Sequence, residues 1–262
     1  MTHPPTLGFH LILRLQDDRV FAPSLAARRR LSRVMSGLAR ELPVLAWRFV
    51  DTHLHLLVLM DDTGVDALVR RLRLVMARQH PGVPLLLVRR LPVRNQWHLG
   101  EAFRYILAQD KHHGVATDPL QEGSAVLDIL GMRAFGSAIA LRVSEHLPRV
   151  TRVDLLAPLG VTALEPAIGV GYLLDAACAA FALSSLTGRA ADVITARNAA
   201  IHAASDTTAR IASALAVTVR CVQRTLVERA PPDTHVRAVR LQLALRRERA
   251  VRDAPFEAEA RP

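Results

Sequence analysis

Lysine is nearly absent from this chain of 262 residues: of its 34 cationic side chains only Lys111 is a lysine, and the rest are arginine. Cysteine and tyrosine are as scarce, at two residues each. Two cysteines, Cys178 and Cys221, exclude a disulfide framework and a four-cysteine zinc site. Two tyrosines, Tyr105 and Tyr172, leave few places for a phenolic nucleophile. No apolar run is long enough to span a bilayer, and the opening MTHPPTLGFH lacks the basic n-region of a signal peptide. A cytoplasmic protein with no membrane partner is therefore expected. Positive charge is abundant instead: the formal net charge is +10. Arginine forks grip phosphate at two points, so a polyanion is the first partner to consider, with a plain compositional bias toward arginine as the alternative. Half the residues are apolar and 22% are charged, which is enough to bury a core.

Hydrophobic periodicity changes along the chain. GFHLILRL (8–15), VLAWRFV (44–50), HLHLLVLM (53–60) and PLLLVRRLPV (84–93) read as strands, the second and third joined by a short turn at Asp51-Thr52. Helices are expected over 24–41, 65–79 and 99–112, the second preceded by a break at Gly64. The order β-α-β-β-α-β-α predicts an α+β fold, a ferredoxin-like antiparallel sheet with helices on one face. The second half shows no comparable strands and reads as all helix. Prolines and glycines between 148 and 171 suggest a bridging segment. The expected division is 1–148 as a first domain, 149–188 as a helical bridge, 189–252 as a second domain and 253–262 as a disordered tail.

Within HLHLLVLM, side chains two apart point the same way, so His53 and His55 share one face of their strand. Two neutral imidazoles so placed make half of a metal site; a hydrogen-bonded pair of core histidines is the other reading. A histidine-triad nucleotide hydrolase needs a third imidazole where this chain has Leu57, which removes that class. Downstream, Leu99, Ala102, Phe103, Ile106 and Leu107 form the buried stripe of an amphipathic helix. At ~100° per residue Tyr105 and Gln109 fall on the border of that stripe, one turn apart. Trp97, just before them, reads either as a core anchor or as a platform for a base, and His112-His113 as partners of the helix end or of phosphate. The arginines at 28–30 and at 70, 71 and 73 read as solvated helix faces or DNA-backbone contacts.

AWRFVDTHLHLLVL followed by FRYILAQDKHHGV resembles the single-tyrosine HUH transposases, in particular the REP-associated tyrosine transposases. In that family a strand ending MPNHVHLLV supplies the histidine pair and a later helix reads YIHxNPVxAGLV. The similarity covers residues 8–133 and includes EGSAVLDILGMR (122–133). It implies an HUH transposase fold with His53 and His55 as ligands of Mg²⁺ or Mn²⁺, Gln109 as third ligand and Tyr105 as nucleophile. The implied activity is single-stranded DNA nicking and joining through a 5′-phosphotyrosine, the chemistry of DNA transposition. The sequence departs from the family at Val50-Asp51-Thr52 and at Gln109-Asp110. Those departures motivate a second reading, a DNA-binding regulator that keeps the fold but no longer cuts.

In the second half TARIASALAVTVRCVQRTL (208–226) has the cadence of a helix-turn-helix. Ile211, Ala212 and Leu215 would pack the first helix, Ala216-Val217 make the turn, and Thr218 cap the second, with Val222 and Leu226 inward. Arg220, Gln223 and Arg224 would then share the outer face, where such side chains read guanine and adenine edges. With the upstream RAADVITARNAAIHAAS, the unit resembles the duplex-binding domain of bacterial chromosomal replication initiators, and Arg197 and Thr218 join the expected DNA contacts. Residues 189–252 carry 12 arginines against five acids, which favours DNA over an ordinary helical bundle. The expected partners are single-stranded or hairpin DNA at the first domain and duplex at the second, for a nucleoid-associated bacterial monomer or homodimer.

Overall fold

The computed structural model describes residues 6–109, 118–228 and 230–253. His112-His113, the expected end of the third helix beyond Gln109 and the tail from 254 lie outside the described residues. Four strands, β1 (Gly8–Leu15), β2 (Val44–Val50), β3 (His53–Val58) and β4 (Leu85–Val93), form one antiparallel sheet in the order β2-β3-β1-β4. Helices α1 (Leu25–Glu41) and α2 (Asp62–Gln79) make the crossovers, and α3 (Gln96–Leu107) follows β4. This is an α+β protein whose strand and helix order is the one the periodicity predicts. Gly64 does not break the chain before α2. It sits in the first turn, its N–H 2.8 Å from the carboxylate of the N-cap Asp61.

Helices cover both faces of the sheet rather than one. Leu11, Leu13, Leu54 and Leu56 are fully buried on the first face. Arg90, opposite Leu11 in β4, reaches Asp62 and Asp66 of α2, which places α2 on that face. His10, Ile12 and His55 point the other way, and α3 lies against them. The cause is the composition of β3: its residues are buried on both sides, so the second face also needs an apolar cover. The stripe of α3 supplies it, with Leu99, Ala102, Phe103, Ile106 and Leu107 all buried. The outer edge of β2 is closed too. Phe49 N–H donates to Gly123 O and Ala125 N–H to Trp47 O, both at 2.9 Å.

Past α3 the described elements are all helical: α4 (Val126–Ile129), α5 (Ser137–His146), α6 (Arg152–Leu156) with a 3-10 turn (Ala157–Leu159), α7 (Leu173–Ala180), α8 (Ala191–Ala203), α9 (Thr208–Leu215), α10 (Val219–Val227) and α11 (Asp233–Asp253). Leu155, Leu156, Leu159, Val161 and Leu164 pack into the core of the sheet, whereas Leu173, Ala176 and Ala177 begin a second core. Helix α11 enters both: Leu241 and Leu245 in the first, Ala238, Val239 and Leu243 in the second. A buried ionic cluster lies at the junction. Glu122 accepts from Arg29 Nε at 2.6 Å and from Arg246 Nη2 at 2.7 Å, and Asp175 accepts from the same two arginines. Among the described residues no helix is long and apolar enough to cross a membrane.

Candidate active site

Sheet register decides which side chains meet. His55 is opposite Arg48 in β2 and Ile12 in β1, and His53 is opposite Val50 and Arg14. His53 and His55 do share a face, with ring centroids 6.4 Å apart. His55 is only 5% exposed, and the strand pairing brings a third imidazole diagonally onto it: Nε2 of His10 lies 3.0 Å from Nδ1 of His55. His53 Nδ1 lies 2.9 Å from the hydroxyl of Thr52, in the turn that starts the strand. Each histidine of the pair therefore has its Nδ1 beside a polar neighbour, a contact that orients the ring.

Tyr105 reaches this cluster from α3. Its ring centroid is 5.8 Å from His10 and 6.1 Å from His55, edge-on to both, and the residue is 41% exposed. A border position on the stripe produces this arrangement: the helix is anchored by its apolar face while the phenol lies half in solvent. Gln109 departs from the expectation. It is fully buried rather than at the border, and its Nε2 donates to the carbonyl of Tyr105 at 3.1 Å. Helix α3 ends at Leu107, so Gln109 is past the last full turn and its amide folds back onto the carbonyl end of the helix.

Sequence reasoning missed His10 and Arg48. Burial drives the pKa of His10 down to about 4, with the nearby His98 adding to the effect, so at neutral pH the ring in contact with His55 carries no charge. Its position on the face of His55 depends on strand register, which the sequence of β1 does not disclose. Arg48 is 1% exposed and faces the same side through its pairing with His55. A charged residue within the otherwise apolar VLAWRFV was the available sign. Close by, Asp118 is buried and accepts from the N–H groups of Glu122 and Gly123 at 2.9 and 2.6 Å. Burial pushes its pKa up, against the pull of those N–H donors and of Arg48 and Arg28.

Among the described residues, no group of three or more His, Cys, Asp or Glu side chains is arranged to hold a metal. A cation at this face would take two imidazoles and complete its shell with water or substrate oxygens; the side chain of Gln109 is instead folded onto the Tyr105 carbonyl. Of the two expected cations, Mn²⁺ accepts such a mixed nitrogen and oxygen set more readily than Mg²⁺, which prefers oxygen donors.

Two short helices joined by a tight turn, α9 and α10, occupy the segment where a helix-turn-helix is expected. Ile211, Ala212, Leu215 and Val222 are buried, Ala216 adopts the left-handed conformation at φ 52°, and the hydroxyl of Thr218 caps α10 by accepting from Cys221 N–H at 3.2 Å. Arg220, Gln223 and Arg224 are exposed together, with Arg224 3.4 Å from Glu228. Leu226 does not face inward: it is 43% exposed, and Thr225 is buried in its place. The docking of α10 against α8 explains this, since a ring nitrogen of His202 lies 3.2 Å from Thr225 O and turns the i+3 position inward. Arg197 is half-buried, donates to Gly188 O at 3.0 Å and lines a cavity with Ala214–Val217, so it sits beside the turn and not on the outer face of α10.

Comparison with protein-family models, with curated proteins and with solved structures finds no match for this chain.

Proposed function

We propose that the chain nicks and rejoins single-stranded DNA through Tyr105 and binds duplex DNA through α10. The observation that carries this reading is the approach of Tyr105, within about 6 Å ring to ring, to His55 and His10 on one covered sheet face. Only two phenols exist in the chain, and Tyr172 lies 67 residues further on with φ +61° at the start of α7, far in sequence from any histidine pair. The resemblance to REP-associated tyrosine transposases adds the substrate class.

In this reading the Tyr105 hydroxyl gives up its proton and its oxygen attacks the scissile phosphorus. The bond to the 3′-oxygen breaks, the leaving oxygen takes a proton, and the 5′-phosphate stays on the tyrosine. The new phosphodiester retains the energy of the old one, so attack by another 3′-hydroxyl reverses the step and joins strands without ATP. A phenol has a pKa of ~10, so ionising it near neutrality needs help from its surroundings. His53, His55 and Gln109 would hold Mg²⁺ or Mn²⁺, which when bound neutralises charge on the scissile phosphate and favours the ionised phenol. His10, neutral and hydrogen-bonded to His55, would fix the orientation of that ring without adding positive charge beside a cation.

The competing reading, a DNA-binding regulator that does not cut, draws on Val50-Asp51-Thr52 and Gln109-Asp110, where the sequence leaves the transposase pattern. Incubation with a single-stranded hairpin oligonucleotide and Mn²⁺ separates the two. The enzyme forms a covalent protein–DNA species stable to denaturing electrophoresis, and the regulator forms none.

A further inference from the structure

We propose that the groove between the start of α3 and the end of α5 is a stacking site for a base of a single DNA strand, with Trp97 as its platform. Resting on the reading of the neighbouring sheet face as a site for single-stranded DNA, it adds where the strand lies. Trp97 is 75% exposed, so the core-anchor reading of this residue fails. The indole stands on the surface of a helix whose large aliphatic side chains and Phe103 are buried, in a chain with only two tryptophans. Trp97, Gly100 and Arg104 are spaced i, i+3, i+7 and so share one side of α3. Together with His146, Pro148 and Arg149 they line a groove of about 580 Å³.

Three features of this groove point to a nucleic acid strand. First, the exposed indole face has no aromatic partner among the described residues, and every base has a π-face that can lie on it. Second, Arg104 and Arg149 flank it as exposed cations suited to phosphate. Glu145 also lines the groove, and the Glu101 pair with Arg104 at 3.0 Å is a solvated i, i+3 contact that a phosphate can replace. Third, Gly100 occupies a helix interior, where glycine is unfavourable relative to alanine. A Cβ there would meet only Arg104 Nη1, at 3.6 Å, so helix packing does not demand the glycine; its effect is to keep the floor of the groove open. Tyr105 follows Trp97 by eight positions, about 12 Å along the helix, so a strand stacked on the indole runs beside the helix that presents the phenol.

Fluorescence tests this directly, because Trp47 is fully buried and quenching by acrylamide reports Trp97. The full-length protein is titrated with a short oligothymidylate without divalent ions, its binding followed by the anisotropy of a label on the oligonucleotide. The expected results are shielding of Trp97 from acrylamide on binding and a roughly 5- to 150-fold weaker affinity in Trp97→Ala, with most of it kept in Trp97→Phe. Gly100→Leu, which has room for its Cβ, should fold and bind more weakly. Unchanged quenching with the oligonucleotide bound, or wild-type affinity in Trp97→Ala, overturns the proposal. So does shielding that rises with protein concentration in the absence of DNA, which would assign the indole to contact with a second copy. Neither metal nor cleavage enters the measurement, so a missing Tyr105 adduct and a missing Trp97 contact are separate failures.

Discussion

His53 and His55 share a face but not an environment, and their substitutions should differ for that reason. His55 is buried against His10, so His55→Ala leaves a buried ring nitrogen of His10 without its partner, at a cost of about 1–3 kcal/mol. His53 is half-buried with its Nδ1 on Thr52 at the strand entrance, where replacement is better tolerated. Both alanine variants should lose Mn²⁺ binding in calorimetry, whereas only His55→Ala should lower the unfolding midpoint markedly. Equal stability losses with undiminished Mn²⁺ binding would mean that the pair serves packing alone. His10→Ala is expected to weaken Mn²⁺ binding without removing a ligand, since it frees the ring of His55 to rotate.

At the scale of elements, α10 offers the clearest expectation. Arg220, Gln223 and Arg224 are exposed on one helix that is capped by Thr218 and seated by Val222 and Thr225. Duplex binding by the intact protein should weaken steeply with salt, and Arg220→Ala or Arg224→Ala should lose about 1–3 kcal/mol of discrimination per base contact. Salt-insensitive binding, or equal affinity of the variants for every sequence tested, would count against α10 as a reading helix. The turn and the cap of α10 were legible because Ala216 and Thr218 act through the local backbone. The inward side of α10 was half legible: periodicity gave Val222, but choosing Thr225 over Leu226 required the position of α8. The sheet shows the same division. Strand periods and the shared face of His53 and His55 are local, whereas the approach of His10 and Arg48 depends on register, and the cover on the second face depends on where α3 docks.

At the scale of the whole molecule, the two cores are joined through α11 and through Glu122 and Asp175, each shared by Arg29 and Arg246. A fragment beginning at 149 would carry Leu241, Leu245 and Arg246 without the surfaces that bury them, so DNA binding belongs in tests of the full chain. Glu122→Gln leaves the two buried guanidiniums sharing Asp175 as the remaining carboxylate of the cluster and should cost about 3 kcal/mol in denaturant unfolding. A loss below 1 kcal/mol would show that the cluster does not hold the halves together. Asp175 adds a pH dependence. Burial opposes its ionisation, but Arg246 and Arg29 outweigh that and hold its carboxyl below the usual range. Its stabilising share is therefore present above the ordinary carboxylate pKa and disappears as pH falls through the depressed folded value. Asp175→Asn should flatten that part of the acid-unfolding curve, and an unchanged acid slope would contradict the assignment.

Everything proposed for the sheet face turns on whether Tyr105 becomes covalently linked to DNA. The most direct measurement digests the adduct formed with a hairpin oligonucleotide and Mn²⁺ and identifies the modified peptide, with Tyr105→Phe run in parallel. That variant removes one oxygen from a half-exposed ring, so its stability should change little while DNA binding persists. The nucleotide is expected on the peptide containing Tyr105, with no adduct from Tyr105→Phe; an adduct on Tyr172, or undiminished adduct from Tyr105→Phe, would contradict covalent chemistry at Tyr105.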